Sequence, residues 1–270
     1  MAKNLLQQVM LKKAEDNDNS KPSFLNKQAL IDKINSGYTI NRVDKFQQKK
    51  TFAPSTIAFS HGECPRYWYL AFEGAVFTDN ADAYGGANMT AGTKSHERIQ
   101  EAMGNVPGFL VDSEFKITYN DPPIFGYGDV MLNFDDHPEL LGEIKTMPNE
   151  GFEYRKTAGK PKTGHLIQLL IYMKILNKNK GVIIYENKNN HELLVFPIEL
   201  NTYMYEWVEN AFEWMRTVRK AWENTTLPEK NYRSNSKICK TCPIREACDI
   251  AGSGEIKIKS LEPLDEKQAL

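Results

Sequence analysis

Asp129, Glu143 and Lys145 are the residues of this chain best suited to chemistry on a phosphodiester. Glu143 and Lys145 stand two apart in Leu141-Gly-Glu-Ile-Lys145, and the two-residue period of a strand puts both side chains on one face of a sheet. Asp129 lies one expected strand earlier, in Gly128-Asp129-Val130. A carboxylate among apolar strand residues is costly to bury unless it meets a metal or a polar partner. Paired strands would bring Asp129 beside Glu143, giving two oxygen ligands for magnesium or manganese, with the carbonyl of Ile144 as a third. Lys145 would then hold a water or the phosphate. The triplet alone is common and reads equally well as a solvated strand face. Its weight comes from the order: aspartate, turn, ExK, all on expected strands.

The four cysteines are a second constellation. Cys64 stands alone, whereas Cys239, Cys242 and Cys248 form C-K-T-C-P-I-R-E-A-C. Four thiolates close a tetrahedral zinc site or hold an iron–sulfur cluster, and the spacing by itself leaves both open. A disulfide framework does not suit a chain with no secretory segment.

Three smaller signals lie between these sets. His96 sits on an expected helix, where a neutral imidazole is an acceptable manganese ligand. Gln168 and Tyr172 are four apart and share a helix face, and a glutamine in so apolar a run calls for a specific hydrogen bond. The basic loop with Arg155, Lys156, Lys160 and Lys162 lies where a nucleic-acid backbone could pass.

The elements that must position these residues follow from period and punctuation. Residues 1–50 read as a peripheral segment of short charged helices, broken at 17–22 and at Gly37. Ser55 is a plausible cap, and Pro65 opens a helix directly after Cys64. The glycine-rich stretch 80–92 reads as a flexible loop, followed by a helix over 93–103 capped by Thr93. Alternation then predicts strands over 111–119, 124–134 and 140–146, joined as an antiparallel meander. A helix over 165–176, strands over 181–186 and 193–198, and a long amphipathic helix over 201–224 complete the pattern. The result is an α/β fold with a mixed central sheet flanked by helices. The domain spans 51–252, and 253–270 reads as a polar tail.

Composition agrees. The chain has 270 residues, 41% hydrophobic and 26% charged, with a formal net charge of −1. That balance excludes a histone-like binder held by charge alone, but not a nuclease whose acidic site offsets basic residues elsewhere. No apolar run approaches the ~18–20 residues that span a bilayer, so a cytoplasmic protein without membrane partners is expected.

The ordered set GTxxH, GD, GExK and QxxxY resembles the RecB-type branch of the PD-(D/E)XK nuclease superfamily. A lone cysteine followed by CxxCx5C is similar to the iron–sulfur members of that branch, among them CRISPR-associated RecB-like exonucleases. The likeness runs from about Cys64 to Cys248. It implies a restriction-endonuclease-like fold. His96, Asp129, Glu143 and Ile144 would hold the divalent metal, Lys145 would be catalytic, and Gln168 and Tyr172 would contact or position DNA. Cys64, Cys239, Cys242 and Cys248 would hold a 4Fe-4S cluster, with structural zinc as the alternative. No GxxxxGK[ST] occurs, so a fused helicase is not expected. The activity implied is exonucleolytic, on single-stranded or frayed DNA, in repair, recombination, CRISPR adaptation or phage DNA metabolism. Protein partners in such a complex, or an idle DNA-binding module of the same fold, are the alternatives it carries.

Overall fold

The computed structural model describes residues 25–40, 45–46, 48–79 and 81–270. In chain order its elements are α1 (Lys27–Thr39), β1 (Lys45–Phe46), α2 (Pro54–Ile57), α3 (Pro65–Glu73), β2 (Val76–Phe77), α4 (Ala83–Gly104), β3 (Leu110–Tyr119), β4 (Ile124–Phe134), β5 (His137–Met147), α5 (Asn149–Ala158), α6 (Thr163–Ile175), β6 (Lys180–Asn187), β7 (Leu193–Glu199), α7 (Thr202–Glu223), α8 (Lys237–Lys240), α9 (Arg245–Ile250) and α10 (Glu266–Ala269). The chain divides into two compact units, Met1–Arg42 with Ala81–Gly86, and Val43–Asn80 with Ala87–Leu270. In the first, α1 is capped by Asn26, whose side chain accepts from the Ala29 N–H. It runs through Gly37 rather than breaking there. The break expected at 17–22 lies outside the described residues.

The second unit is built on a five-stranded sheet in the order β3-β4-β5-β6-β7. Only β5 and β6 run parallel, and the crossover between them carries α5 and α6, as a parallel connection requires. The mixed sheet is therefore as the order of helices and strands predicts. One face packs Leu141, Ile183 and Tyr185 against the apolar α6 and the inward stripe of α7 (Met204, Val208, Ala211, Phe212, Met215). A smaller cluster of Val130, Leu132, Ile144, Val182 and Ile184 closes with Ile99 of α4.

Four local expectations need correction. Helix α4 includes most of the glycine-rich stretch read as a loop, started by Asp82, whose carboxylate accepts from the Gly85 N–H at 2.7 Å. Ala53, not Ser55, precedes α2, which has no side-chain cap. The first half of the basic loop is α5, ended by Gly159 in the left-handed region (φ 66°). The segment 253–270, polar in composition, buries Ile258, Leu261, Leu264 and Ala269 in the main core.

Candidate active site

The site begins where β4 and β5 part. Their ladder runs from Phe134↔His137 to Val130↔Gly142 and goes no further. Beyond it, β4 pairs with β3 and, at Ile124, bridges Phe52, while β5 pairs with β6. The Ile144 N–H is thereby left without its β4 partner, and the Asp129 carboxylate takes that place, accepting from it at 2.7 Å. Asp129 and Glu143 are 7% and 1% exposed. Lys145 Nζ contacts Glu143 Oε1, reaches the Ile144 carbonyl at 3.1 Å, and lies 3.7 Å from Asp129 Oδ2. Burial, then the Asp129 charge, pushes the Glu143 carboxyl up to about 8 despite the neighbouring ammonium. Burial alone would lower the Lys145 pKa, but Glu143 and Asp129 outweigh it and raise it.

Glu114, opposite Asp129 on β3, joins this group although sequence reasoning passed it over. Its backbone is left-handed (φ 50°). One ligand atom each of His96, Glu114 and Asp129 lie within 4.8 Å of one another. The Gln100 amide ties Glu114 to the Asp129 backbone from α4, donating to Glu114 Oε1 at 2.9 Å and to the Asp129 carbonyl at 3.0 Å. Glu143, engaged by Lys145, stands outside that close trio. Glu114 was hidden by the alternation of VDSEFKITY, where it reads as one more solvent-facing position.

Helix α6 brings a second layer. Tyr185 Oη accepts from the Lys162 N–H at 2.9 Å and lies 2.8 Å from His165 Nδ1. Burial and the neighbouring Lys145 lower the His165 pKa to about 3, so its ring is neutral. Gln168 and Tyr172 are 7% and 2% exposed, and the tyrosine hydroxyl is hydrogen-bonded by the Gln168 side chain and the Tyr127 backbone. It crosses β4 where there is no side chain: a Cβ on Gly126 would meet that hydroxyl at 2.2 Å. Of the basic residues, Lys160 is held by Glu266, Lys156 pairs with Glu192 at 2.6 Å, and Lys162 is exposed.

The four cysteines converge as well. Cys64, Cys239, Cys242 and Cys248 line one cavity of about 40 Å³. Burial pushes the Cys64 thiol up to about 11 and that of Cys242 up to about 12, so any metal held there must displace protons. The neighbouring aromatics Tyr67, Trp68 and Tyr69 are buried rather than open to bases, and the Trp68 indole donates to the Gly62 carbonyl at 2.8 Å. No helix among the described residues is long and apolar enough to cross a membrane.

A mixed five-stranded sheet flanked by helices, parting at a nest of carboxylates, defines an α/β fold. No protein-family model and no curated protein matches the sequence. Among solved structures, the chain is similar to the alkaline exonuclease LHK-Exo from Laribacter hongkongensis, at 13% identity and a TM-score of 0.50, over 65% of this chain and 91% of that one. LHK-Exo in complex with dAMP is similar at 14% identity, TM-score 0.49, over 65% and 89%. The structure of SSO0001 is similar at 15% identity, TM-score 0.43, over 83% and 96%.

Proposed function

We propose that the chain is a divalent-metal-dependent DNA nuclease of the RecB-like type, acting as an exonuclease on single-stranded or frayed ends. The observation that carries this is the nest where β4 and β5 part: buried Asp129 and Glu143, with Lys145 between them and His96 and Glu114 alongside. The fold likeness to an alkaline exonuclease supports it. Burying two acids and adding a third is unfavourable without cationic compensation, and hard oxygen donors beside one imidazole suit magnesium or manganese. Asp129, Glu114 and His96 would hold the ion, with Glu143 and the Ile144 carbonyl as the further donors. A divalent ion there would supply Lewis-acid assistance to phosphodiester hydrolysis.

The chain's own groups set the rest. The Lys145 ammonium, kept charged by its carboxylate neighbours, holds the anionic phosphate oxygens or a water against them. Gln168 and Tyr172, being buried, act through the β4 backbone they brace, while Lys162 remains the exposed cation for the DNA backbone.

For the four thiols we propose a 4Fe-4S cluster that clips the C-terminal segment to α3. Sulfurs about 2.3 Å from one zinc ion stand about 3.8 Å apart. Among the described residues His96, Glu114 and Asp129 bring ligand atoms within 4.8 Å of one another, and the cysteines form no comparable group. Four sulfurs spread round one cavity suit a larger centre.

The deciding experiment incubates the full chain with end-labelled linear and internally labelled circular single-stranded DNA in magnesium or manganese. Loss of label from the linear substrate alone, stopped by EDTA and by Lys145→Ala, is expected. Metal-independent cleavage, or none with either ion, overturns the nuclease reading.

A further inference from the structure

Arg66 is a buried charge whose one acidic neighbour, Asp249, acts on it only at longer range. It is 0% exposed, and among the described residues no carboxylate lies within ion-pair distance of it. Its Nη1 donates to the Pro228 carbonyl at 2.7 Å, and its Nη2 to those of Gly252 at 2.6 Å and Cys248 at 3.3 Å. The Nε–H points elsewhere, to Cys248 Sγ at 3.2 Å. A guanidinium does not lose its proton in a protein, and carbonyl dipoles with a distant carboxylate leave its charge only partly compensated. Asp249, which lines the same cavity, is taken by Lys230 at 2.8 Å with Arg245 at 3.9 Å. Three cations thus face one carboxylate around four thiols.

We infer that Arg66 is the positioning residue of the four-thiol site. Its Nε–H fixes the Cys248 sulfur, and its charge offsets the negative charge that a centre of four thiolates brings into the cavity. The inference rests on the proposal that these thiols hold a metal centre, and it holds for a cluster or for zinc, since both are anionic with four thiolates. The role differs from lacing α3 to the C-terminal segment, which the three carbonyl contacts would do with no metal bound. Helix α3 starts at Pro65 with Cys64 before it, so one turn supplies both a ligand and the donor that orients another ligand 182 residues away.

The test purifies the full chain anaerobically as wild type, Arg66→Lys and Arg66→Gln. It measures iron, sulfide and zinc, metal release to a chelator, and thermal unfolding of loaded and metal-stripped protein. Outer hydrogen bonds to metal ligands typically govern roughly 10–100-fold in affinity, and a loss of that size is expected for Arg66→Gln. Arg66→Lys keeps the charge and should fall between the two; it decides the matter if the glutamine variant does not accumulate. In stripped protein Arg66→Gln should lower the melting temperature less than in loaded protein, since the carbonyl contacts are lost in both and the metal centre in only one. Unchanged metal retention in both variants, or equal losses of melting temperature in loaded and stripped protein, overturns the inference and leaves Arg66 as carbonyl lacing. Wild type that holds neither iron nor zinc overturns the metal-centre proposal beneath it.

Discussion

Glu143 is 1% exposed with Asp129 and Glu114 close by, and Lys145 offsets its charge only in part, so the charge is a burden until a further cation arrives. Glu143→Gln is therefore expected to leave the metal-free fold as stable as wild type or slightly more so, while cleavage falls by about 10²-fold or more. Thermal unfolding beside a single-turnover assay separates the two effects. Glu114→Gln should weaken manganese binding in calorimetry and leave stability within about 0.5 kcal/mol, because the residue is exposed. His165 makes the opposite kind of claim. Burial holds its folded-state pKa near 3 against an ordinary 6.5, so below 6.5 the unfolded chain takes up a proton that the folded one refuses. Its neutral form is stabilising above pH 6.5, and that stability is lost as pH falls toward 3. At pH 5 the loss is about 2 kcal/mol. Urea unfolding at pH 7 and pH 5 should show His165→Gln to be less acid-sensitive than wild type by that amount; an unchanged pH slope would refute it.

At the scale of elements, the parting of β4 and β5 is held open from within. Gly126 admits the Tyr172 hydroxyl, so Gly126→Ala forces a buried ring to move, at about 1–3 kcal/mol. Tyr172→Phe removes the atom that clashes, so the double variant should lose less than the two single ones added, and a denaturation cycle reads this coupling. The strands themselves were legible in the sequence, because period-two alternation over 111–119 and 124–134 survives burial on one face. Helix α4 was not, since six residues of alanine and glycine in 83–92 look like a loop until Asp82 nucleates the turn. Of the site, Asp129, Glu143, Lys145 and His96 announced themselves by residue type and order. Glu114, Gln100 and Tyr185 did not, because what makes them neighbours is the point at which one ladder stops, a property of backbone pairing that no local pattern encodes.

On the scale of the whole molecule, the last twenty residues act as a strap. Trp207 and Trp214 of α7 donate to the carbonyls of Glu262 and Lys259 at 3.0 and 2.8 Å, and the Leu261 N–H reaches the Glu63 carbonyl at 3.0 Å. Glu266 then takes Lys160 and Thr163 at the start of α6. Leu261→Ala, at a site 7% exposed, is expected to cost about 2–4 kcal/mol in urea unfolding. Removing 257–270 deletes three large buried side chains, at about 1.5–3 kcal/mol each. That is comparable to the net stability of a typical domain, so the truncated chain should expose apolar surface and bind a hydrophobic dye.

The separation of Cys64 from its three partners also sets a timetable for synthesis. The sheet lies within residues 110–199 and is complete on the ribosome before any of the trio has been made. Until then α3 carries Tyr67, Trp68, Leu70 and Phe72 with no strap and, up to residue 201, no α7 to cover them, and one thiol waits without its fellows. A chain arrested at Leu200, before α7, should therefore stay bound to a holding chaperone, while one extended past the strap is released.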